Sequence, residues 1–599
     1  MCGIFGIAAK AQQDLSGMVS KMAGMLAHRG PDDEGFYSDT EAMLGNRRLS
    51  IIDIEHGHQP FFSDDLSIIA VQDGEIYNYA ELRQELINQG IHFRTNSGIE
   101  VILRLYEAYG VGFVSRLNGM FAIAIWDKNT HEMHLYRDRM GIKPLFITDT
   151  EFGFCFASEM KALLGLEINT RVRIDAIHHY LSFNFVPSCT TMFENIEQLM
   201  PGYAVTIREG QAQSWQWWKP SFVTARKSDA EWIEEFRATL SDATKIRLRA
   251  DVEVGALLCG GLDSSSIIAL SAPYIKQPIQ SFNIGFNDAR SDSSYYAQQV
   301  AQQYNTQHYN DMTGPEIIAL WPNVIYHCEQ PHGDVSFLPA YALSALAAKN
   351  VKVVLSGEGS DEMFAGHECY APFMAEHSGD KNEEFARAYF ANQGLYSHDE
   401  KLGIYSEGLR TYFAALDSFE IMRSDFEDIR SLYPVNKMSW IDMKYLLPGN
   451  NLIKRDRMGM AFGLEARLPF LDPRIVDMAL SMPSTLKMRS GEGKYILKEA
   501  MAGLLPQDVL RHPKKIFSVL LGEWFRAQLA PLLKQVLLSE RAMSRGLFRD
   551  GAVTQLIDLH IAGNVNNTGI LTALMALEIW YRLFVDGEPP DAFVEFRAL

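Results

Sequence analysis

The residue best suited to nucleophilic chemistry stands at position 2, where a cysteine begins the string Cys2-Gly3-Ile4-Phe5-Gly6. If the initiator Met1 is removed, Cys2 carries a thiol beside a free α-amine, and the amine can take the thiol proton. The resulting thiolate attacks carbonyl carbons. The pattern is typical of an N-terminal nucleophile enzyme, although a small buried cysteine at the start of a strand would give the same letters.

A second constellation follows an apolar run near the middle of the chain. Val252–Leu258 leads into Cys259, Gly260 and Gly261, and then into Asp263 and adjacent serines. Backbone amides at a glycine turn that opens a helix form a nest for pyrophosphate, and hydroxyls add donors. Asp263 is placed to hold Mg²⁺ against the phosphates. Since the sequence has neither a G-x-x-x-x-G-K-[ST] motif nor a G-x-G-x-x-G motif after a strand, we expect neither a P-loop kinase nor a dinucleotide fold.

The stretch Ser356–Glu362 follows another apolar run, Val351–Leu355. Ligands of a parallel sheet bind at the carboxyl ends of its strands, so we expect this loop beside the first. Asp361 is then a candidate second Mg²⁺ ligand and Glu358 a candidate base. A solvated acidic loop is the alternative interpretation.

Two kinds of sequence would position these groups. Up to about residue 210, short apolar or alternating runs predict strands mixed with helices, and from about 250 apolar strands alternate with helices as in a parallel α/β sheet. After about 375 the chain is predicted to be largely helical. The predicted strands are Ser67–Val71, Met120–Trp126, Met133–Tyr136, Val252–Leu258, Ile279–Ile284 and Val351–Leu355, the predicted helices Ala80–Gln89, Glu100–Tyr109 and Ser266–Leu270, and the predicted last hairpin Leu199–Gly210.

The predicted domain boundaries lie in an aromatic and basic stretch. Residues 2–212 form the first domain, 213–228 a linker, and 229–599 the second domain. Ser228 and Glu231 have the spacing of a capping box, which predicts that a helix begins directly after the linker.

The composition limits the class of protein. A chain of 599 residues requires at least two domains. A formal charge of −19 argues against a broad nucleic-acid surface. The sequence has no apolar run long enough for a membrane span and no basic leader, and its six cysteines are scattered. These features predict a cytoplasmic protein with reduced thiols and without a transition-metal site.

Together these strings resemble the glutamine-dependent asparagine synthetases. The N-terminal strings resemble a class II glutamine amidotransferase domain, and the later ones resemble the pyrophosphatase-loop ATP site of a synthetase domain. The resemblance covers most of the chain in one order, through Cys2–Ile4, His28–Asp32, Arg48–Asp53, Gly74–Asn78, Asp138–Leu145, Gly260–Ser265, Ser356–Glu362, Lys454–Met458, Gly463–Arg467, Pro469–Asp472 and Gly493–Leu497. It implies an α+β N-terminal nucleophile domain with an αββα sandwich, followed by an α/β parallel-sheet ATP-pyrophosphatase domain with a helical C-terminal part.

The resemblance also implies a reaction at two sites. Cys2 would release ammonia from glutamine, and Mg-ATP would adenylate a carboxylate that the amine then attacks. Lys494 matches the family's catalytic lysine, which stabilises developing charge, and Glu358 joins it and Cys2 as a catalytic residue. The implied glutamine-binding positions are Arg48, Asp73, Gly74, Glu75 and Gly98, the ATP-binding positions Leu258, Cys259, Gly260, Gly261, Leu262, Asp263, Ser264, Ser265, Ile284, Ser356, Gly357 and Glu358, and the metal positions Asp263 and Asp361. A homodimer is compatible with the family.

Two positions in the glutamine pocket depart from the family. Asp73 replaces the asparagine whose side chain helps to form the oxyanion hole, and the loss of one such donor costs about 3–4 kcal/mol in other enzymes. Gly98 replaces the aspartate that pairs with the α-ammonium of glutamine, whose carboxylate is held by Arg48. We therefore expect glutaminase activity to be weak or lost, although Cys2 remains.

The acceptor side departs as well. An acidic pair of the family is replaced in Pro448-Gly449-Asn450-Asn451, a second string is changed to His512–Phe517, and Cys259 replaces a serine. These changes favour an acceptor carboxylate other than aspartate. An ordinary glutamine-hydrolysing asparagine synthetase, a ligase that joins an amine other than ammonia, and a non-enzymatic scaffold are the alternatives, and the acidic residues and Lys494 argue against the scaffold.

Overall fold

The structure is a computed structural model and describes residues 2–223, 225–288, 290–511 and 518–597, with the side chains of 518 and 519 excluded. The changed string His512–Phe517 lies outside these residues. No helix in the described ranges is both long enough and apolar enough to cross a membrane.

The N-terminal part is a sandwich of two six-stranded antiparallel sheets. Alternate residues such as Ile4 and Leu44 from one sheet pack against Val71, Ala124 and Leu135 from the other. The first sheet has the order Glu197–Gln198, Phe146–Asp149, Gly153–Ala157, Cys2–Ala9, Ala42–Arg48, Asp33–Ser38, and the second Gln211–Gln216, Tyr203–Arg208, Glu132–Arg137, Gly119–Asp127, Ile68–Ile76, Phe61–Phe62.

Helices cover both outer faces of the sandwich. Tyr79–Asn88 and Gly98–Tyr109 pack on the second sheet, while Ser16–Met25, Met160–Leu164 and Ile174–Phe183 pack on the first. The predicted αββα arrangement is confirmed. Its last hairpin lies later than predicted, because Tyr203–Arg208 pairs with Gln211–Gln216, and this last strand runs into the first residues of the expected linker.

The C-terminal part contains a five-stranded parallel sheet. The order is Gln307–Thr313, Gln280–Phe286, Val254–Leu257, Val353–Leu355 and Glu465–Arg467. The two edge strands, Gln307–Thr313 and Glu465–Arg467, were not predicted. The chain adds strands on one side of Val254–Leu257 and then crosses to the other side. The sheet therefore has a topological switch point between Val254–Leu257 and Val353–Leu355.

Helices surround this sheet and form the rest of the chain. The first begins at the predicted capping box, in which the Ser228 and Glu231 side chains bond each other's backbone N–H groups. The helices are Asp229–Ile246, Leu262–Ser271, Ser294–Gln303, Trp321–Cys328, Phe337–Ala348, Ser360–Met363, Tyr370–His377, Asn382–Gln393, His398–Ile404, Glu407–Phe413, Glu420–Asp428, Pro434–Ile441, Leu452–Met460, Pro473–Ser481, Ser484–Lys487, Tyr495–Met501, Gln507–Leu510, Ser518–Arg526, Ala530–Leu537, Glu540–Ser544, Ala552–Ile561 and Thr568–Phe584, with a π-helix at Asp442–Asn451 and a small hairpin of Met488–Arg489 and Glu492–Gly493. The helix predicted at Ser266–Leu270 begins earlier, at Leu262.

Apolar clusters join the two parts. Tyr180 and Leu181 share one buried cluster with Ile325, Leu574 and Trp580. A second cluster brings Leu49, Met120 and Ile142 from the sandwich against residues around Phe470. The interface between the domains is therefore built like a protein core.

Candidate active sites

Cys2 begins an inner strand of the first sheet and pairs in register with Arg48. Its side chain is buried, with 5% of the residue exposed. The Cys2 backbone nitrogen donates a hydrogen bond to Asp73 Oδ1 at 3.0 Å. Burial raises the pKa of the Cys2 thiol, and the Asp73 carboxylate adds to the rise. A high pKa keeps the thiol protonated and lowers its reactivity.

Asp73 lies on the second sheet, directly across the sandwich from Cys2. Besides the Cys2 nitrogen, its carboxylate accepts hydrogen bonds from Arg29 Nη2 at 2.9 Å and from Ser158 Oγ at 3.0 Å. The sequence suggested a bare charge facing the oxyanion, but the structure shows a carboxylate occupied by three donors, as burial demands. In its ionised form this side chain accepts hydrogen bonds and donates none.

The two glycines predicted to line the glutamine pocket differ in the space around them, because a side chain would clash at Gly74 but not at Gly98. Gly74 has a φ of +117°, and a Cβ atom there would lie 2.0 Å from the Met120 carbonyl oxygen, so glycine is required. Gly98 begins a helix that Ser97 caps, and the nearest atom to a Cβ there would be Gln72 Oε1 at 3.9 Å. There is room for a side chain at Gly98, and the glycine provides none.

Arg48 and Glu75 hold fixed positions near this pocket. The buried Arg48 guanidinium donates to the carbonyl oxygens of residues 52, 53 and 54 at 3.2, 2.8 and 3.1 Å. Burial raises the pKa of the Glu75 carboxyl to about 7, opposed by Arg467 and assisted by Glu465 from the fifth strand of the parallel sheet. Glu75 thus belongs to the electrostatic contact between the two domains.

The nucleotide loops meet at the switch point of the parallel sheet. Gly260 has a φ of +83°, and a Cβ there would lie 2.6 Å from the Ala297 nitrogen. A Cβ at Gly357 would lie 2.8 Å from Asp263 Cβ. Gly260 therefore allows its loop to approach the start of the helix Ser294–Gln303, and Gly357 allows the loops after Val254–Leu257 and Val353–Leu355 to approach each other.

The other predicted nucleotide residues surround these loops. Leu258 is buried and bonds the neighbouring strand, which contains Ile284, while Cys259 is exposed. The Ser264 hydroxyl donates to the Gly261 carbonyl, and the buried Ser265 hydroxyl has no partner among the described residues. Leu262 is the first residue of the helix, and the Ser356 nitrogen bonds the Arg467 carbonyl.

Lys494 lies between the two loop aspartates. Its Nζ atom is 2.8 and 2.6 Å from the Asp263 carboxylate oxygens and 2.5 Å from Asp361 Oδ1. Burial raises the pKa of Asp263, Lys494 opposes the rise, and Asp361 adds to it. Two carboxylates from different loops and one cation from a distant segment therefore converge on one point.

The aspartate pair fits Mg²⁺ that is shared with phosphate oxygens. In the described part of the chain, no group of three or more His, Cys, Asp or Glu residues could hold a metal alone. Mg²⁺ commonly takes one or two protein carboxylates and completes its shell with phosphates and water. Asp263 and Asp361 would hold such an ion.

Glu358, the candidate base, forms an ion pair with an arginine that the sequence analysis did not single out. Arg455 Nε and Nη2 donate to Glu358 Oε1 at 3.0 and 2.6 Å. Close by, Asn451 Nδ2 donates to Glu362 Oε1 at 2.7 Å, and Asn450 Nδ2 donates to Asp334 Oδ2 at 2.9 Å. The two asparagines that stand in place of the expected acidic pair thus donate hydrogen bonds to carboxylates of this chain.

A buried layer of charges between the domains also escaped the sequence analysis. Its members are Arg29, Lys143, Glu159, Lys161, Glu329, Asp456 and Arg457. The indication in the sequence was the run Lys454–Arg457, four charged residues in succession on a helix. Such runs usually face solvent, but here each side chain is largely buried.

Two family models match the chain. One described as asparagine synthase matches residues 235–582, and one described as glutamine amidotransferase domain matches residues 1–218. Asparagine synthetase [glutamine-hydrolyzing] 1 of Bacillus subtilis is 31% identical over 98% of this chain and 97% of its own length. A putative asparagine synthetase [glutamine-hydrolyzing] of Mycobacterium tuberculosis is also 31% identical, with 98% of each chain covered. Amidase chry2 of Gibberella zeae is 28% identical over 82% of this chain and 83% of its own.

Proposed function

Since the chain belongs to the glutamine-hydrolysing asparagine synthetase family and is an ATP-dependent carbon–nitrogen ligase, we propose that it makes amides efficiently from an activated carboxylate but hydrolyses glutamine poorly. The carboxylate is adenylated by ATP, and an amine displaces AMP. The observation that carries the synthetase half is the position of Lys494 between Asp263 and Asp361 at the switch point.

At the synthetase site, Lys494 stabilises the charge that develops when pyrophosphate leaves. Glycine turns bring backbone N–H groups to the phosphates, and Ser265 has a hydroxyl available for them. When bound, Mg²⁺ would supply charge neutralisation on the phosphates, held by Asp263 and Asp361. Glu358, held by Arg455, would accept the proton of the attacking amine.

At the glutaminase site, the machinery is incomplete. Asp73 accepts hydrogen bonds where a donor to the oxyanion is needed, and it raises the pKa of the Cys2 thiol together with burial. Gly98 offers no charge to the α-ammonium of glutamine, although Arg48 is positioned for the carboxylate. Both changes slow the attack on glutamine, so ammonia or another amine is the nitrogen donor that we favour.

For the acceptor we propose a carboxylate other than aspartate. Asn450 and Asn451 are neutral, and both bond acidic side chains of the protein. A pocket that has changed the charge of two positions is expected to bind an acid of different charge or shape. The proposed domain limits are 2–212 and 229–599, and a cytoplasmic homodimer accords with the family.

A substrate screen tests the proposal. The purified chain is mixed with ATP, Mg²⁺ and a panel of carboxylates that includes aspartate, and glutamine, ammonium and primary amines are compared as donors. AMP and the amide are measured by mass spectrometry. We expect ammonium or an amine to support more turnover than glutamine. Rapid Cys2-dependent glutamate release with efficient asparagine formation would show instead that the chain is an ordinary glutamine-hydrolysing synthetase.

A further inference from the structure

The helix Leu452–Met460 carries four consecutive charged residues that reach four different parts of the molecule. Consecutive residues of an α-helix point about 100° apart, so their side chains radiate around the axis. Lys454 bonds Asp334, Arg455 bonds Glu358, Asp456 bonds Arg29 and Lys143, and Arg457 pairs with Glu159 and Glu329. One helix of the synthetase domain thus contacts the acidic nucleotide loop and the neighbourhood of Cys2.

The path from Asp456 to Cys2 passes through one guanidinium group. Arg29 Nη1 donates to Asp456 Oδ2 at 2.7 Å, and Arg29 Nη2 lies 3.3 Å from Asp456 Oδ1. The same Nη2 donates to Asp73 Oδ2 at 2.9 Å, and Arg29 Nε donates to the Cys2 carbonyl at 3.1 Å. All four residues are at most 5% exposed, so water screens this chain of contacts little.

We propose that Asp456 is a positioning residue for the Cys2 site, which it controls through Arg29 by holding the Asp73 carboxylate against the Cys2 nitrogen. The synthetase domain thereby sets the reactivity of the thiol in the other domain. This inference rests on the proposed role of Cys2 as the nucleophile.

The direction in which Asp456 shifts the pKa of the Cys2 thiol follows from the charges around Arg29. Asp456 cancels part of the Arg29 charge, so its neutralisation leaves a more positive environment that favours the thiolate. Removal of Lys143, which donates to Asp456 Oδ1 at 3.0 Å, has the opposite effect. The other titratable or charged groups facing these residues are His28, Arg137, Glu159, Lys161, Glu329, Arg457 and Glu465.

The rate at which iodoacetamide alkylates Cys2 as a function of pH tests the proposal. Peptide mass spectrometry of the full-length chain distinguishes Cys2 from the other five cysteines. Asp456→Asn should lower the midpoint of the pH profile by about 0.5–1 unit, and Lys143→Met should raise it, as expected for the loss of a unit charge one buried side chain away from the site. Asp456→Glu keeps the charge and should keep the wild-type midpoint.

Asp425→Asn is the matched control, because Asp425 is a similarly buried carboxylate paired with a lysine, Lys444, in the helical part. It should leave the Cys2 midpoint unchanged. An unchanged midpoint in Asp456→Asn, or a shift of the same sign in Asp456→Asn and Lys143→Met, would overturn the proposal. If Asp456→Asn does not fold, the direction of the Lys143→Met shift decides. Alkylation reports the thiol rather than turnover, so fast glutamate release would refute the proposed function without affecting this result.

Discussion

Carboxylates meet a basic side chain at both candidate active sites, and we expect the arrangement to have opposite effects at the two. At the nucleotide loops, Asp263 and Asp361 form ion pairs with Lys494. In the proposed reaction, the two aspartates hold Mg²⁺ and Lys494 stabilises the leaving pyrophosphate. At the Cys2 site, Asp73 accepts hydrogen bonds from Arg29 and the Cys2 nitrogen, and its ionised side chain provides no donor for an oxyanion. Under the proposed function, the same kind of ion pair serves one site and weakens the other, so the identity of each atom's partner matters more than the presence of charge.

The largest expected loss of activity comes from a substitution at the nucleotide loops. Lys494→Ala should lower pyrophosphate release by about 1,000-fold, because it removes the cation that faces the developing charge. Lys498→Ala is the matched control, since Lys498 lies on the helix that begins directly after Lys494 and pairs with Glu492. Comparable rates for the two variants would remove Lys494 from the chemistry.

A repair of the weakened site should have the next largest effect. Asp73→Asn combined with Gly98→Asp restores an oxyanion donor and an anchor for the α-ammonium, and there is room for the new side chain at Gly98. We expect kcat/KM for glutamine hydrolysis to rise by about 100-fold, which is within the range for one oxyanion donor.

Two controls make this repair specific. Asp73→Asn with Gly98→Ala changes the same positions without the anchoring charge and should recover less activity. Adding Cys2→Ala to the repaired chain should abolish the gain. If the repaired chain is no faster than the wild type, the two departures do not explain a slow glutaminase.

The smallest effect concerns the contact of Glu75 with the synthetase domain. Because the pKa of Glu75 is raised to about 7 in the folded protein, the folded state binds more protons than the unfolded state between about pH 4.5 and 7. The associated stability is present at low pH and is lost as the pH rises through 7. The change in melting temperature caused by Glu75→Gln should therefore be about 2 °C more positive at pH 8 than at pH 5.

The neighbouring Glu81 provides the control for this measurement. It pairs with Arg249 at the surface, and that hydrogen bond lowers the pKa of Glu81. Glu81→Gln should therefore show no gain at pH 8. An equal gain in both variants would mean that net charge, and not the environment of Glu75, determines the effect.

The sequence predicted the strands and helices of the first domain, the parallel sheet and the loops because their patterns are local, whereas the sandwich was implied by the family resemblance. A few neighbouring residues are enough to predict the alternating strands, the Ser228 capping box and the Gly260-Gly261 turn. The strand Glu465–Arg467 escaped prediction because it is three residues long and two of the three are charged. The Arg467 side chain is satisfied by the carbonyls of Arg247 and Arg249, 220 and 218 residues away. Asp73 was recognised as a departure, but its partners Arg29 and Ser158 are 44 and 85 residues away, so their contact could not be read locally.

The apolar interface between the domains predicts how the protein behaves after proteolytic cleavage of the linker. The segment between them is accessible, with Val223 78% exposed, so a protease can nick it. The two halves nevertheless share buried clusters around Trp580 and Phe470, and the Tyr180 hydroxyl of the first half donates to the Ala573 carbonyl of the second at 2.9 Å. A nicked molecule should therefore migrate as one particle on gel filtration, its fragments separating only in denaturant, so the covalent connection is dispensable once the fold is complete.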